Sequence, residues 1–465
     1  NPLFPLGASL YPLDDETQSP DDWYARDLTP DLDALAEARC ALVRVFVSWR
    51  VLEPQVGQYS EEGLDRLAGL VAAARERKMQ TIVCFFADDR HAELTEVPWG
   101  KRRDARTDSY LVQREVALVN KVVGKLRGDT GVFAWQLGNE PFLSGFEDSG
   151  ALGEWVAALR EAVRELDADR PIALGADAET LFRSSGVDAR EAVASCEFAV
   201  SHVTGAYRAY ASEGPLTSGP STYLDGFLLR VAHRGRPVLL DEVGVLSLDA
   251  SPAEEAAYLR TVLWSGLCNR AAGAMVRRLR DMSMERREPY FIDPFETLVG
   301  IADEDGLAKP SFTEVRRFIR AAAGIDLRAH QLIAERTAVV VPAERYEPLP
   351  SLAGLYDPRA CFQSYIAAKQ AHLPVAVIRE DDDFEGHAVL IVPGPFALSD
   401  ATWERLSAFV QTGGSVVFSY GGGDAHPAIR DLFGVEFLGD AGPSETLSCR
   451  VAHDDLLGRS EERRV

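Results

Sequence analysis

The sequence predicts an α/β protein: a (β/α)8 TIM barrel over residues 1–325, a smaller flavodoxin-like α/β domain over 335–450, and a polar tail over 451–465. Three observations carry that expectation. Eight short apolar runs alternate with segments of helical spacing across roughly the first 320 residues, the pattern of strand-helix units around a parallel sheet. Two of those runs stop at an acidic residue, in Asn139-Glu140-Pro141 and Asp241-Glu242-Val243-Gly244, and the C-terminal strand ends are where such a barrel keeps its chemistry. After Gly324 the alternation restarts in miniature. A doubly wound open sheet is the competing architecture for the first part.

Each element has its own signal. Leu6–Pro12 reads as the first strand and turn, followed by an acidic loop with Trp23 and Tyr24 and a helix over 30–38. Residues 41–47 form a nearly continuous apolar run, as strands buried on both faces do, broken by one charge, Arg44, with Ser48-Trp49-Arg50 at its end. Helical spacing over 63–78 leads to a third strand at 81–86. A long loop with Trp99 and Lys101-Arg102-Arg103 then precedes a helix over 111–126, and loops of that length usually line or cover a site. The fourth strand, 132–138, is closed by Pro141, which lacks a ladder N–H. A helix over 152–166, strands at 171–175 and 198–202, a helix over 224–232 and the strand at 237–244 follow. Ser251, Pro252 and Glu254 mark the start of a helix over 252–267, and a strand at 273–276 and a helix over 312–323 complete the barrel. In the second domain, strands at 338–342, 375–378, 388–394 and 414–419 alternate with helices over 360–371 and 400–412. It shows no phosphate-cradling glycine motif before a helix and no cysteine at a strand-to-helix elbow, so it is expected to be structural or to mediate oligomerisation.

Composition narrows the function classes. Hydrophobic residues at 46% and charged residues at 26% describe a globular chain with a sizeable core. A net charge of −23 argues against nucleic acid or an anionic membrane as partner, and no apolar run approaches a membrane span. Six scattered cysteines without C-x-x-C spacing read as buried thiols of a reducing compartment, which predicts a cytoplasmic protein, or a secreted one if a signal segment has been removed. Asp88, Asp89 and His91 lack a specific metal spacing and read as a solvated loop; no metal and no organic cofactor is expected.

Two glutamates on two strand ends are the minimum equipment for breaking a glycosidic bond, which needs a proton for the leaving oxygen and negative charge on the opposite face of the sugar. Glu140 is the candidate proton donor and Glu242 the candidate nucleophile. Asn139 has the groups to hold a sugar hydroxyl. Arg44 either keeps Glu242 ionised, or pairs with Asp241 or caps a strand end. His202 reads equally as a core histidine or a site residue, and Tyr207 as a site residue or loop packing.

On these motifs residues 1–323 resemble the clan A retaining glycoside hydrolases, especially family 5, including its β-mannosidases. The matching pieces are Val43-Arg44, Trp49 with Leu52-Glu53-Pro54 and Gly57-Gln58-Tyr59, Asn139-Glu140-Pro141, His202 with Tyr207, and Asp241-Glu242-Val243-Gly244. The resemblance implies a retaining β-glycosidase with Glu140 as acid/base and Glu242 as nucleophile. It places Arg44, Asn139, His202, Tyr207 (or Tyr210), Trp49 and Trp99 around the substrate. β-Mannosides or related oligosaccharides are the leading substrates, with β-galactosides, β-glucosides or non-catalytic carbohydrate binding as alternatives. Residues 335–450, with Leu390-Ile391-Val392-Pro393-Gly394 and Gly413-Gly414-Ser415-Val416-Val417, resemble the second domain of family 42 β-galactosidases, which implies a homo-oligomer, a trimer in that family. One departure stands out. The family places a tryptophan platform at the end of the eighth strand, whereas here Met275-Val276 runs into Arg277-Arg278. A platform then has to come from Trp99, Trp264 or Tyr290, and Arg277 offers hydrogen bonds to hydroxyls or a carboxylate instead.

Overall fold

The computed structural model describes residues 4–11, 24, 26–86, 97, 99, 108–141, 149–177, 193–204, 219–233, 235–245, 250–281, 298–327, 329–330, 333–342, 359–394, 398–419 and 426–435. In chain order the barrel elements are β1 (Leu6–Leu10), α1 (Thr29–Glu37), β2 (Leu42–Phe46), α2 (Trp49–Leu52), α3 (Glu61–Glu76), β3 (Gln80–Phe86), α4 (Ser109–Leu126), β4 (Val132–Gly138) and α5 (Ser149–Leu166). They continue with β5 (Ile172–Asp177), β6 (Phe198–Thr204), α6 (Gly219–His233), β7 (Val238–Gly244), α7 (Pro252–Cys268), β8 (Gly273–Val276), β9 (Arg278–Arg280), β10 (Gly300–Ala302) and α8 (Pro310–Ala322). The second unit comprises β11 (Thr337–Val341), α9 (Arg359–Gln370), β12 (Val375–Arg379), β13 (Val389–Pro393), α10 (Asp400–Gln411), β14 (Ser415–Ser419) and α11 (Pro427–Phe433).

Strands β1 to β8 close in sequence order into one parallel barrel, β1 pairing with both β2 and β8. The open-sheet alternative is thereby excluded. Side chains that alternate inward, among them Leu42, Ile82, Ala134, Phe198, Leu239 and Met275, fill the interior, so the barrel is a packed core rather than a pore. The opposite faces of the same strands pack on the helices, which is why these strands read as continuous apolar runs.

Local chemistry explains the helix boundaries. Asp108 accepts hydrogen bonds from the backbone N–H groups of Tyr110 and Leu111 to start α4, and Ser251 with Glu254 closes a full capping box on α7. The ribbon of β9 and β10 and the short helices α2 and α11 carry too few periodic residues to be legible in sequence.

The four strands of the second unit are all parallel in the order β12-β11-β13-β14, the start of a flavodoxin-like arrangement. One of its faces merges into the barrel's hydrophobic core: Phe362 and Tyr365 of α9 lie with ring centroids 5.3 and 5.4 Å from Phe227 of α6. Its other face has a separate core around Val340, Leu390, Trp403 and Leu406.

Candidate active site

At the C-terminal mouth of the barrel, strand register brings the polar residues level. Ser9 stands beside Arg44, and His202 beside Asp241. Arg44 is fully buried and organises the group. Its Nε donates to Ser9 Oγ at 2.9 Å, its Nη1 to Asn139 Oδ1 at 2.9 Å and to Asp241, and its Nη2 to Glu242 Oε1 at 3.0 Å. Burial works to lower the Arg44 pKa, but the carboxylates of Asp241 and Glu242 outweigh it and hold the value well above that of a free guanidinium. Burial likewise raises the carboxyl of Asp241 above the usual range, against the pull of Arg44 and His202.

Adjacent strand residues normally point to opposite faces, yet Asp241 and Glu242 both reach Arg44. The local backbone explains how. The pairing of β7 with β8 slips between Leu240 and Val243, and Glu242 takes a φ of +52°. A bulge re-aims a side chain next to a site, and a non-glycine residue in the left-handed region costs about 1–2 kcal/mol. That strain is held by the fixed partners on both sides: the Glu242 N–H donates to Asp241 Oδ1 at 2.8 Å, while Asn139 Nδ2 donates to Glu242 Oε1 at 3.0 Å.

Asn139 and Glu140 extend past β4. The Asn139 N–H donates to the Phe86 carbonyl at 2.7 Å, and Gly175 of β5 makes room for the segment, since a Cβ there would lie 1.9 Å from the Asn139 carbonyl oxygen. Glu140 Oε1 lies 2.5 Å from His202 Nδ1. On the other side Arg277 Nη1 stands 2.9 Å from Glu242 Oε2. Glu140, His202 and Glu242 each place one oxygen or nitrogen within 4.8 Å of the others. Such a trio meets the distance requirement for a cation, but two guanidinium groups on Glu242 oppose a further positive charge there.

The structure therefore draws together Glu140, Glu242, Arg44, Asn139, His202 and Arg277. Trp49 is placed differently. It is fully buried, with its indole N–H donated to Glu53 Oε2 at 2.8 Å and its ring edge-on to Phe86 and Trp99. Trp99 is half-buried, with its N–H donated to the Glu53 carbonyl at 2.9 Å. Glu53 also accepts from Arg114 and from the Gly57 N–H, so the Leu52-Glu53-Pro54 and Gly57-Gln58-Tyr59 motifs build the support beneath these two rings. Trp264, proposed as a substitute platform, packs at 5.0 Å against Phe318 of α8 among the helices and cannot serve a sugar at the mouth. Tyr207, Tyr210, Tyr290, Asp88, Asp89 and His91 lie outside the described residues. Sequence reasoning left Asp241 as one option for Arg44 and missed Ser9 and Gly175. A second acid adjoining Glu242 at a buried strand end, and a glycine inside the apolar fifth strand, were the available signals.

Residues 11–265, more than half of the chain, match the cellulase family, glycosyl hydrolase family 5. Residues 343–431 match the β-galactosidase trimerisation domain. Among curated proteins, a probable mannan endo-1,4-β-mannosidase A of Aspergillus flavus is 28% identical over 119 residues, 25% of this chain and 31% of that protein. The chain thus spans less than a third of the length of the first such relatives. Among solved structures, the exo-β-1,4-mannosidase Op5Man5 from Opitutaceae bacterium strain TAV5 superposes with a TM-score of 0.80 at 23% identity, covering 92% of this chain and 79% of that one. A GH5_18 protein from Streptomyces cattleya in complex with GlcNAc gives a TM-score of 0.72 at 17% identity, covering 90% and 99%. At these identities the superpositions establish the shared fold.

Proposed function

We propose, from the premise that this chain belongs to glycosyl hydrolase family 5, that it is a retaining β-glycosidase acting on β-mannosides or related β-linked oligosaccharides. The observation that carries the reading is the placement of an oxygen of Glu140 within 4.8 Å of one of Glu242 at the barrel mouth. Retaining enzymes hold their two carboxyl groups about 5–5.5 Å apart, whereas inverting ones need roughly 6.5–9.5 Å to admit a water.

Glu140 protonates the leaving oxygen as the glycosidic bond breaks, and its 2.5 Å contact with His202 fixes its orientation. Glu242 attacks the anomeric carbon and forms a covalent glycosyl-enzyme. Oε1 of Glu242 is held by Arg44 and Asn139, and Oε2 stands 2.9 Å from Arg277, so the carboxylate is kept charged for the attack. Glu140, now ionised, takes a proton from the water that cleaves the ester. No step calls for a metal or organic cofactor.

The mannosidase names among the similar proteins support β-mannosides first. β-Galactosides are the second reading, favoured by the match of residues 343–431. That match also supports a homo-oligomer, a trimer in the first instance. The six scattered cysteines without C-x-x-C spacing support a reducing compartment such as the cytoplasm. Among the described residues no helix is long and apolar enough to cross a membrane.

The test is hydrolysis of para-nitrophenyl β-mannoside, β-galactoside and β-glucoside by the wild type beside Glu140→Ala and Glu242→Ala. One sugar is expected to turn over with retention at the anomeric carbon, and both variants to lose that turnover. Residual activity in Glu242→Ala above ~1% of wild type removes Glu242 as nucleophile.

A further inference from the structure

We propose that Arg277 is a positioning residue for Glu242: from the end of β8 it clamps the carboxylate oxygen that Arg44 and Asn139 leave uncovered. This rests on the reading of Glu242 as nucleophile. Arg277 stands where the resemblance places an aromatic platform, and it is 3% exposed, so its guanidinium is no ordinary surface cation. Its backbone N–H donates to the Val243 carbonyl at 3.1 Å, which anchors the base of the side chain one residue beyond Glu242. The tip then meets Oε2 at 2.9 Å while Arg44 Nη2 and Asn139 Nδ2 each meet Oε1 at 3.0 Å. Both oxygens of one carboxylate thus have a cation within ion-pair distance, supplied by different strands.

The surrounding charges show why a second cation matters. Arg44 divides its charge between Asp241 and Glu242. The adjoining Asp241 opposes ionisation of Glu242, as does Glu140 within 4.8 Å whenever it is itself ionised, and His202 Nδ1 lies 3.8 Å from Oε2. Arg277 offsets those carboxylates at Oε2. The position has exchanged stacking against a sugar face for charge control of the nucleophile.

The experiment follows Glu242 directly by carbon-13 NMR of glutamate side-chain carboxyls, its signal assigned by loss in Glu242→Gln, in the full chain carrying Arg277→Met or Arg277→Lys. In parallel the pH profile of kcat/KM is recorded on the glycoside the wild type hydrolyses. The Glu242 midpoint is expected to rise by at least about one pH unit in Arg277→Met, and the acid limb of the profile to move to higher pH by a similar amount. Arg277→Lys, which keeps the charge, is expected to recover most of the shift. Arg277→Gln replaces the methionine variant if that one does not fold. A Glu242 midpoint unmoved in the uncharged variant overturns the clamp, even if activity falls. A wild type that hydrolyses no glycoside refutes the proposed function instead, and the NMR midpoints still decide the clamp.

Discussion

Asp225→Asn is expected to stabilise the protein at alkaline pH and not at acid pH. Asp225 lies on α6 with 1% of its surface exposed, beneath the docked second unit. Burial pushes its carboxyl up to about 7, with Ser265 and the Gly226 N–H opposing. An unfolded aspartate titrates near ~3.9, so between the two values the native state binds more protons than the unfolded state. Stability therefore has its full Asp225 contribution below about pH 4 and loses it progressively as pH rises to about 7. Roughly three units at about 1.36 kcal/mol each put the loss on the order of 4 kcal/mol. Asparagine keeps the shape and cannot ionise. Urea unfolding of wild type and variant at pH 5 and pH 8 isolates this group, because every other titration cancels in the difference. The variant's advantage should grow by a few kcal/mol from pH 5 to pH 8. A difference that stays the same at both pH values refutes the reasoning that Asp225 is an unpaid buried charge.

Two further substitutions probe how the scaffold serves the site. Gly175→Ala drives a Cβ to 1.9 Å from the Asn139 carbonyl oxygen, so β4 must shift and carry Glu140 with it. Turnover should fall about 100-fold and the thermal midpoint should fall as well, measured by kcat and by calorimetry on one preparation; undiminished turnover would mean the segment relaxes without moving Glu140. Phe362→Ala removes a ring that is 1% exposed and packed 5.3 Å from Phe227. It should cost about 3–5 kcal/mol of unfolding free energy, and a loss below about 1 kcal/mol would show that the second unit is not firmly docked on α6.

The barrel was legible because its physics is local and repeated. Residues 81–86 and 132–138 are apolar on both faces, which only a strand covered on both sides requires, and the acid at the end of such a run is conspicuous. Glu140 and Glu242 could be found that way, and so could Arg44, a lone charge inside an apolar strand. Their partners could not. The role of His202 depends on a strand pairing that sets β6 beside β7 and on the reach of its ring to Glu140. Trp49 matched a motif, yet its indole is spent on Glu53 beneath the site.

Sequence by itself determined the order of the elements, the acids at two strand ends and the arginine in place of an aromatic platform, since periodicity and residue type act over a few positions. Tertiary structure alone decided that Asp241 and Glu242 point the same way, because a bulge and a left-handed φ at Glu242 override strand alternation. It also decided that Arg44 and Arg277 meet on one carboxylate, for closure of β1 onto β8 brings together residues that lie far apart in the chain.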